Sequence, residues 1–275
     1  MRRSCCRPGP IGRLAPVCVL LLVACGPISV SQEQQLGYQF EQQMRGELPL
    51  VHDRVINDYV RSMGEDIVSA AGPQPFDYRF FVVEDHEINA FAGPAGHIYL
   101  HTETILRARS ASELAGVIAH EVGHVAERHI AENYNRQRNT KIGADVLTAA
   151  AGIAGGGLMA NAASLGGGLA AMAYLNSFGR EAEMEADSFA IDVLPRAGFD
   201  PEGLASFFEL LEGEEDEQGG SMPSFMSSHP ATEDRIEAAR QALEALPPTP
   251  GLKVHDGGRL EIIQRRILLL DRSRR

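Results

Sequence analysis

Apolar residues recur along most of this chain at the spacing of a helix. In residues 31–46, Leu36, Phe40 and Met44 stand four apart among glutamines and glutamates, which predicts a helix with one apolar stripe. Residues 50–71 continue the same pattern after a proline break. Further helices are predicted at about 110–133, 180–194, 200–211 and 232–246.

Two short runs differ from this pattern and predict strands. Residues 78–83 and 97–100 are rich in β-branched and aromatic residues, and the small residues between them, 89–96, have the chemistry of turns. The chain is therefore predicted to have an α+β fold that is mainly helical with a small mixed sheet.

Two further segments have the composition of broken or irregular structure. Residues 146–176 are rich in alanine and glycine and contain no charged residue. Short helices broken by glycine are predicted there rather than a membrane span, because alanine and glycine bury little apolar area. A flap that touches a membrane or covers a substrate is the alternative. Residues 212–220 are acidic and contain glycine, and they are predicted to form a loop.

The first 25 residues have the pattern of a removable signal. Four arginines accompany an apolar stretch, residues 14–24, that is too short to remain across a bilayer. The stretch ends in Leu-Val-Ala-Cys, which resembles the lipobox of bacterial lipoproteins and predicts lipidation of Cys25. All four cysteines lie at or before this position, so disulfides are not expected. An ordinary secretory signal or a weak membrane anchor is the alternative.

Composition and charge give no indication of a nucleic-acid partner. Of 275 residues, 44% are hydrophobic and 23% are charged, as in a globular protein, and the net charge of −12 comes without a basic stripe. We predict a signal peptide at 1–24, a lipid-anchored helical segment at 25–48, one folded domain at 49–246 and a C-terminal tail at 247–275.

The segment His-Glu-Val-Gly-His at residues 120–124 carries the candidate chemistry. The helix around it has apolar flanks and opens with a Ser-x-x-Glu capping motif at 110–113. A spacing of four puts His120 and His124 on one face, about 6 Å apart along the axis, where both can bind one zinc ion. Glu121 can then take a proton from a water whose pKa the zinc lowers to about 7.

A catalytic zinc of this kind needs a third protein ligand. A metzincin would supply it from position 130 with glycine at 127, but Ile130 and Glu127 occupy these positions. His129 lies about 140° further around the predicted helix than His124, so we interpret it as a packing or helix-end residue. A glutamate on another helix is the remaining solution, and the candidates are Glu181, Glu183 and Glu185.

Four motifs occur along the chain in an order that characterises one family. They are Asn-Ala-Phe-Ala at 89–92, the zinc motif with Arg-His at 128–129, Glu-Met-Glu-Ala-Asp at 183–187, and His-Pro at 229–230 with Arg-Ile at 235–236. With them, residues 35–245 resemble the zinc metallopeptidases related to the CAAX prenyl proteases and HtpX, most closely their soluble periplasmic, BepA-like members. The resemblance implies a gluzincin-like domain and selects Glu183 as the third ligand. It also implies that Asp187 orients a ligating histidine.

The same resemblance implies which residues handle the substrate. In the family, an asparagine and the extended segment after it form an edge strand beside the metal, to which a peptide adds by main-chain hydrogen bonds. The matching residues here are Asn89, His97, Ile98, Tyr99 and Leu100. His229 and Arg235 match residues near the scissile carbonyl, and in the periplasmic branch this histidine can also bind the metal and hold the enzyme latent. The alternatives are a helix-entry residue for His229 and a surface ion pair for Arg235.

Together these features predict a zinc-dependent endopeptidase with one zinc ion per chain. Glu121 would be the general base, and Asn89, His229 and Arg235 would bind the peptide or the oxyanion. The implied setting is the periplasmic side of an envelope membrane, outer rather than inner, with unfolded or misassembled polypeptides as substrates and an assembly machinery as a further partner. The alternatives are a zinc-containing chaperone with latent peptidase activity, favoured if His229 fills the open zinc position, and an integral-membrane prenyl protease.

Overall fold

The computed structural model describes residues 27–138, 178–217, 224–230 and 233–274. The helices are α1 (Val30–Glu47), α2 (Arg54–Ala71), α3 (Thr102–Arg107), α4 (Ala111–Ala126), α5 (129–138), α6 (Arg180–Arg196), α7 (Glu202–Glu217), α8 (Ser224–Ser228), α9 (Glu233–Ala245) and α10 (Arg259–Arg274). The strands are β1 (Arg79–Val83), β2 (Ala90–Gly93) and β3 (His97–His101). Both the region around Cys25 and the segment 146–176 lie outside the described residues.

A three-stranded mixed sheet packs against the helices. Its order is β1-β3-β2, with β1 parallel and β2 antiparallel to β3. The predicted α+β fold, mainly helical with a small mixed sheet, is confirmed.

The position of β3 within this sheet corrects one prediction. His97, Ile98 and Tyr99 do not form an edge strand, because β3 is paired on both sides. The edge beside α4 is β2 instead, in a segment whose small residues had the chemistry of a turn.

Helix α4 runs through the centre of the protein, and every residue from Ala111 to Val125 is buried. The Ser110 hydroxyl accepts a hydrogen bond from the Glu113 N–H, which caps the helix. Only half of the predicted capping box forms, because the Glu113 carboxylate accepts instead from the Arg109 N–H. Helices α6 and α7 both pack along α4.

The end of α4 differs from the prediction of a continuous helix to about residue 133. The helix stops at Ala126, Arg128 adopts a left-handed conformation with φ of 61°, and a new helix begins at residue 129. A non-glycine residue rarely adopts such a φ, so no helical periodicity could predict this break.

The C-terminal part of the chain is more helical than predicted. Helix α7 continues through Glu217, so the loop predicted at 212–220 is wrong over its first two thirds. The predicted tail contains α10, whose buried Leu260, Ile263 and Ile267 belong to the same core as α2 and α4. The Gln264 amide also donates to carbonyls at the end of α3. Packing therefore joins α10 to the rest of the domain.

Helix α1 lies against the turn that leads into β3. Gly37 allows this contact, since a Cβ there would meet the Pro94 carbonyl oxygen at 2.7 Å. Buried Glu41 binds the His97 ring at 3.0 Å and the Arg79 guanidinium at 2.8 Å, which connects α1 to the sheet. None of the described helices is both long and apolar enough to cross a membrane.

Candidate metal centre

Four buried side chains bring their donor atoms together in the core. His120 and His124 come from α4, Glu183 from α6, and His229 follows α8; each is at most 1% exposed. The Nε2 atom of His120 lies 3.1 Å from His124 Nε2 and 3.2 Å from His229 Nδ1. His229 Nδ1 is also 3.0 Å from Glu183 Oε1.

The spacing of these donors fits a tetrahedral metal ion. A zinc ion with bonds of about 2.0–2.1 Å separates its ligand atoms by about 3.3–3.4 Å. The Glu183 oxygens lie 3.4 Å from His120 Nε2 and 3.5 Å from His124 Nε2, and the separations that involve His229 are 3.0 and 3.2 Å. Three imidazoles and one carboxylate thus lie close enough together to bind one metal ion.

Asp187 and Arg235 lie behind the donors. The Asp187 carboxylate is 2.9 Å from His120 Nδ1, so the proton belongs on Nδ1 and the Nε2 lone pair faces the other donors. Arg235 donates through Nε and Nη2 to both oxygens of Asp187, each at 2.8 Å, and its Nη1 lies 2.9 Å from Glu183. This arrangement holds one candidate ligand from α4 and one from α6 in fixed orientations.

The electrostatics of the cluster favour a cation. Burial lowers the pKa of His120, but Asp187 and Glu183 outweigh burial and raise that pKa to about 9. Burial raises the pKa of Glu183, but the neighbouring histidines more than reverse this and hold the pKa far below its ordinary value. A divalent cation among the donors would satisfy the same negative field that draws a proton to His120.

Glu121 points into the cluster without a partner. Neither carboxylate oxygen has a hydrogen-bond partner among the described residues, and Oε1 lies 3.5 Å from His229 Nε2. Burial raises the pKa of Glu121, while the electrostatic interaction with the imidazoles of His229 and His120 opposes this. Buried carboxylates are normally hydrogen-bonded. A carboxylate without a hydrogen bond beside a metal-type donor set is available to accept a proton from a water or substrate, as a general base does.

Comparison with known proteins now gives the family. Residues 56–243 match the model of peptidase family M48. The chain belongs to this family. The predicted resemblance is confirmed, and with it the metallopeptidase class and the requirement for a divalent metal ion, which the buried histidine–glutamate group fits.

Relatives occur in bacteria and in mitochondria. The beta-barrel assembly-enhancing protease of Escherichia coli O157:H7 is 35% identical over 228 residues, which cover 80% of this chain and 46% of that protein. Metalloprotease LoiP of Escherichia coli K12 is 31% identical over 172 residues, 62% of this chain and 64% of that protein. Mitochondrial metalloendopeptidase OMA1 of Schizosaccharomyces pombe is 27% identical over 196 residues, 71% of this chain and 55% of that protein. The chain spans about half the length of the beta-barrel assembly-enhancing proteases that it matches.

Within this M48 domain, the structure separates the three candidate glutamates. Only Glu183 faces the histidines of α4. Glu185 points away and accepts from His129 Nε2 at 2.9 Å, while Glu181 is exposed on the outer face of α6. The rotation of α6 about its own axis makes this choice, and it depends on tertiary packing.

Arg235 lies inside the centre and not on the surface. It is 1% exposed, which excludes a surface ion pair. Its guanidinium donates to Asp187 and to the Pro230 carbonyl, and it contacts Glu183, so in this structure it supports the metal ligands. His229 likewise is not a simple helix-entry residue, because its ring lies among the metal-type donors.

The segment that carries His229 also contacts the strand edge near Asn89. The Phe225 N–H donates to the Ile88 carbonyl at 3.0 Å, and the Phe225 ring stacks on His229 with centroids 4.8 Å apart. The Asn89 side-chain oxygen is buried and has no hydrogen-bond partner among the residues that the structure describes. Asn89 therefore lies beside a main-chain segment that α8 partly covers.

His129 is the residue near the site that sequence reasoning missed. Its Nδ1 lies 3.0 Å from His124 Nδ1, although a continuous helix would have turned the two rings apart. The break at Arg128 makes the contact, and the Arg-His pair after the zinc motif was its one signal in the sequence.

Proposed function

We propose that this chain is a zinc-dependent endopeptidase whose metal is held by His120, His124 and Glu183. The observation that carries the proposal is the buried donor group with the unpaired Glu121 beside it. Imidazole nitrogens and one carboxylate in tetrahedral spacing suit zinc better than magnesium or calcium, which prefer six or more oxygen ligands.

The proposed chemistry divides between the metal and the chain's own residues. Bound zinc supplies Lewis acidity toward a water and the scissile carbonyl. Glu121 accepts the proton of the attacking water on a carboxylate oxygen and later donates it to the leaving amine. Asp187 holds His120 in the tautomer that ligates, and Arg235 in turn holds Asp187 and Glu183.

The proposed substrate is an extended polypeptide that binds the edge of β2 by main-chain hydrogen bonds. The edge lies along α4, so such a peptide would run past Glu121 with Asn89 at one end. We propose envelope proteins that are misfolded or stalled as the substrates, supported by the similarity to the beta-barrel assembly-enhancing proteases. Lipidation at Cys25 would place the 49–246 domain on the periplasmic side of a membrane. That membrane would be the outer one in a host that sorts lipoproteins by the residue after the lipidated cysteine.

Casein degradation tests the activity. The mature protein should degrade unfolded casein, lose this activity in the presence of a chelator, and carry about one zinc per chain. Glu121→Gln should retain zinc and have no activity, because the substitution removes the base but leaves every donor in place. Activity that survives complete zinc removal would contradict the proposal.

A second candidate function follows from the position of His229. It contributes a fourth donor, whereas a catalytic zinc with three protein ligands leaves the fourth position for water. A fourth donor in that position supports a latent enzyme, and a zinc-containing chaperone with latent peptidase activity is the second candidate.

Peptide turnover by His229→Ala distinguishes the alternatives. If the imidazole blocks the metal, the variant should turn over peptide faster than the wild type, or degrade itself. If the imidazole stabilises the oxyanion, turnover should fall by about 100- to 1000-fold. Absence of turnover in every variant, with intact suppression of aggregation by Glu121→Gln, would favour the chaperone.

A further inference from the structure

The two histidines of the zinc motif are held in different ways. His120 Nδ1 lies 2.9 Å from a carboxylate oxygen of Asp187. His124 is bonded instead to a second imidazole, His129, with 3.0 Å between their Nδ1 atoms, and His129 Nε2 is 2.9 Å from Glu185 Oε2. The His129 side chain is 3% exposed and the Glu185 side chain 56% exposed, so the contact between the two imidazoles is shielded from water while the carboxylate end is not.

The hydrogen-bonding capacity of each side chain determines where the protons lie along this series of contacts. The Glu185 carboxylate can only accept, so His129 Nε2 carries a proton and donates it. A neutral His129 then has its lone pair on Nδ1, and His124 Nδ1 must be the donor in the contact between the two rings. The Nε2 lone pair of His124 is left facing the other metal-type donors.

The turn that carries His129 is held by helix α1. Arg128, in its left-handed conformation, donates through Nη2 to Glu33 Oε2 at 2.8 Å and to the Ile28 carbonyl at 3.0 Å. Glu33 is 1% exposed, so this ion pair is protected on its carboxylate side. The pair connects the first residues of α1 to the break after α4, and the break places His129 against His124.

We propose that His129 is a positioning residue for the metal centre, and that α1 secures it through the Glu33–Arg128 ion pair. His129 keeps the His124 ring in the tautomer and rotation that a metal requires, as Asp187 does for the His120 ring. This inference rests on the proposed zinc site. It adds the N-terminal helix, which lies outside the matched family region, to the parts of the chain that determine metal affinity.

Two nearly isosteric substitutions test the role of His129. In His129→Asn, the side-chain oxygen can stand where Nδ1 stood and still accept from His124, whereas His129→Leu fills a similar volume without an acceptor. Zinc affinity is measured by competition with a chromogenic chelator, and the melting temperature of the metal-free protein is measured in parallel. His129→Leu should weaken zinc binding by about 10- to 100-fold, and His129→Asn by less than about fivefold.

The comparison between the variants separates positioning from packing. Equal losses in both variants, in step with equal drops in the metal-free melting temperature, would show that His129 only fills space and would overturn the proposal. Wild-type affinity in His129→Leu would overturn it as well. A wild-type chain that binds no zinc would instead refute the proposed site, so the two failures are distinguishable.

A second pair of variants tests the contribution of α1. Arg128→Gly keeps the left-handed turn, which glycine adopts readily, but removes the guanidinium. In Arg128→Gly, zinc affinity should fall by about three- to tenfold. The control Glu47→Gln, at the exposed end of α1, should leave zinc affinity unchanged. An Arg128→Gly protein with wild-type zinc affinity would overturn the part of the proposal that involves α1.

Discussion

Gly123, within the zinc motif, lies close against the backbone of α6, and its replacement by alanine is a direct test of the site's architecture. A Cβ at this position would lie 3.1 Å from both the Cα and the carbonyl oxygen of Ala186, and 3.2 Å from the Phe189 ring. Two of these three atoms belong to the backbone of α6, which cannot rotate away as a side chain can. The same helix carries Glu183 and Asp187, so any shift moves a metal ligand and its support together.

Two opposing effects set the size of the change. Alanine is preferred to glycine inside a helix by about 1 kcal/mol. Overpacking in a close-packed core costs about 1–3 kcal/mol, and here rigid backbone atoms resist the new methyl group. We therefore expect Gly123→Ala to destabilise the protein by roughly 0–2 kcal/mol. If the metal-bound state resists the shift by about 1 kcal/mol more than the metal-free state, zinc binds about fivefold more weakly.

Thermal unfolding with and without zinc measures both parts of this prediction. Gly46→Ala in α1 is the matched control, because a Cβ there meets nothing within 4 Å. That substitution should stabilise the protein by about 0.5–1 kcal/mol and leave zinc affinity unchanged. If Gly123→Ala proves as stabilising as Gly46→Ala and binds zinc as the wild type does, the reasoning about the contact between α4 and α6 is refuted.

Four other substitutions test individual residues. Glu183→Gln should lose activity and most of its zinc, as measured by metal analysis, whereas Glu181→Gln, on the exposed face of α6, should change neither; the reverse result would mean that the ligand is misassigned. Asp187→Asn should reduce metal affinity or activity by about 10- to 100-fold, and a full loss of folding would point to a structural role instead. Metabolic labelling with a clickable palmitate should tag the wild type and not Cys25→Ser; label on both would contradict lipidation at this residue.

The parts of the site that depend on local sequence could be predicted. The helix around residues 120–124 and the common face of its two histidines follow from a periodicity contained in one segment. The third metal ligand could not be chosen from the residues alone, because three candidate glutamates lie within five positions and only helix packing turns one of them inward. The resemblance to a family selected Glu183, which is the glutamate that the structure places beside the histidines.

The errors in the predicted sheet and helix ends have physical reasons. Whether β3 lies at the edge or the centre depends on its parallel pairing with β1, which joins residues 79 and 97. The alternation of polar and apolar residues within one strand does not indicate this pairing. The contact between His129 and His124 depends on a left-handed residue that α1 holds from about 95 positions away. Both features arise from long-range contacts, and a pattern read along the chain contains no information about them.

The position of His229 has a consequence for how a substrate would gain access. The segment before it occupies the Ile88 carbonyl, next to the edge where a peptide is proposed to bind, and the ring occupies the fourth donor position. One segment therefore competes with the substrate chain and with water at the same time. Apparent affinity falls by the fraction of molecules that are open, so a closed form favoured by about 100 to 1 weakens substrate binding about 100-fold. A substrate or partner that binds only the open form relieves this penalty, so latency and selectivity would have a single physical origin in α8.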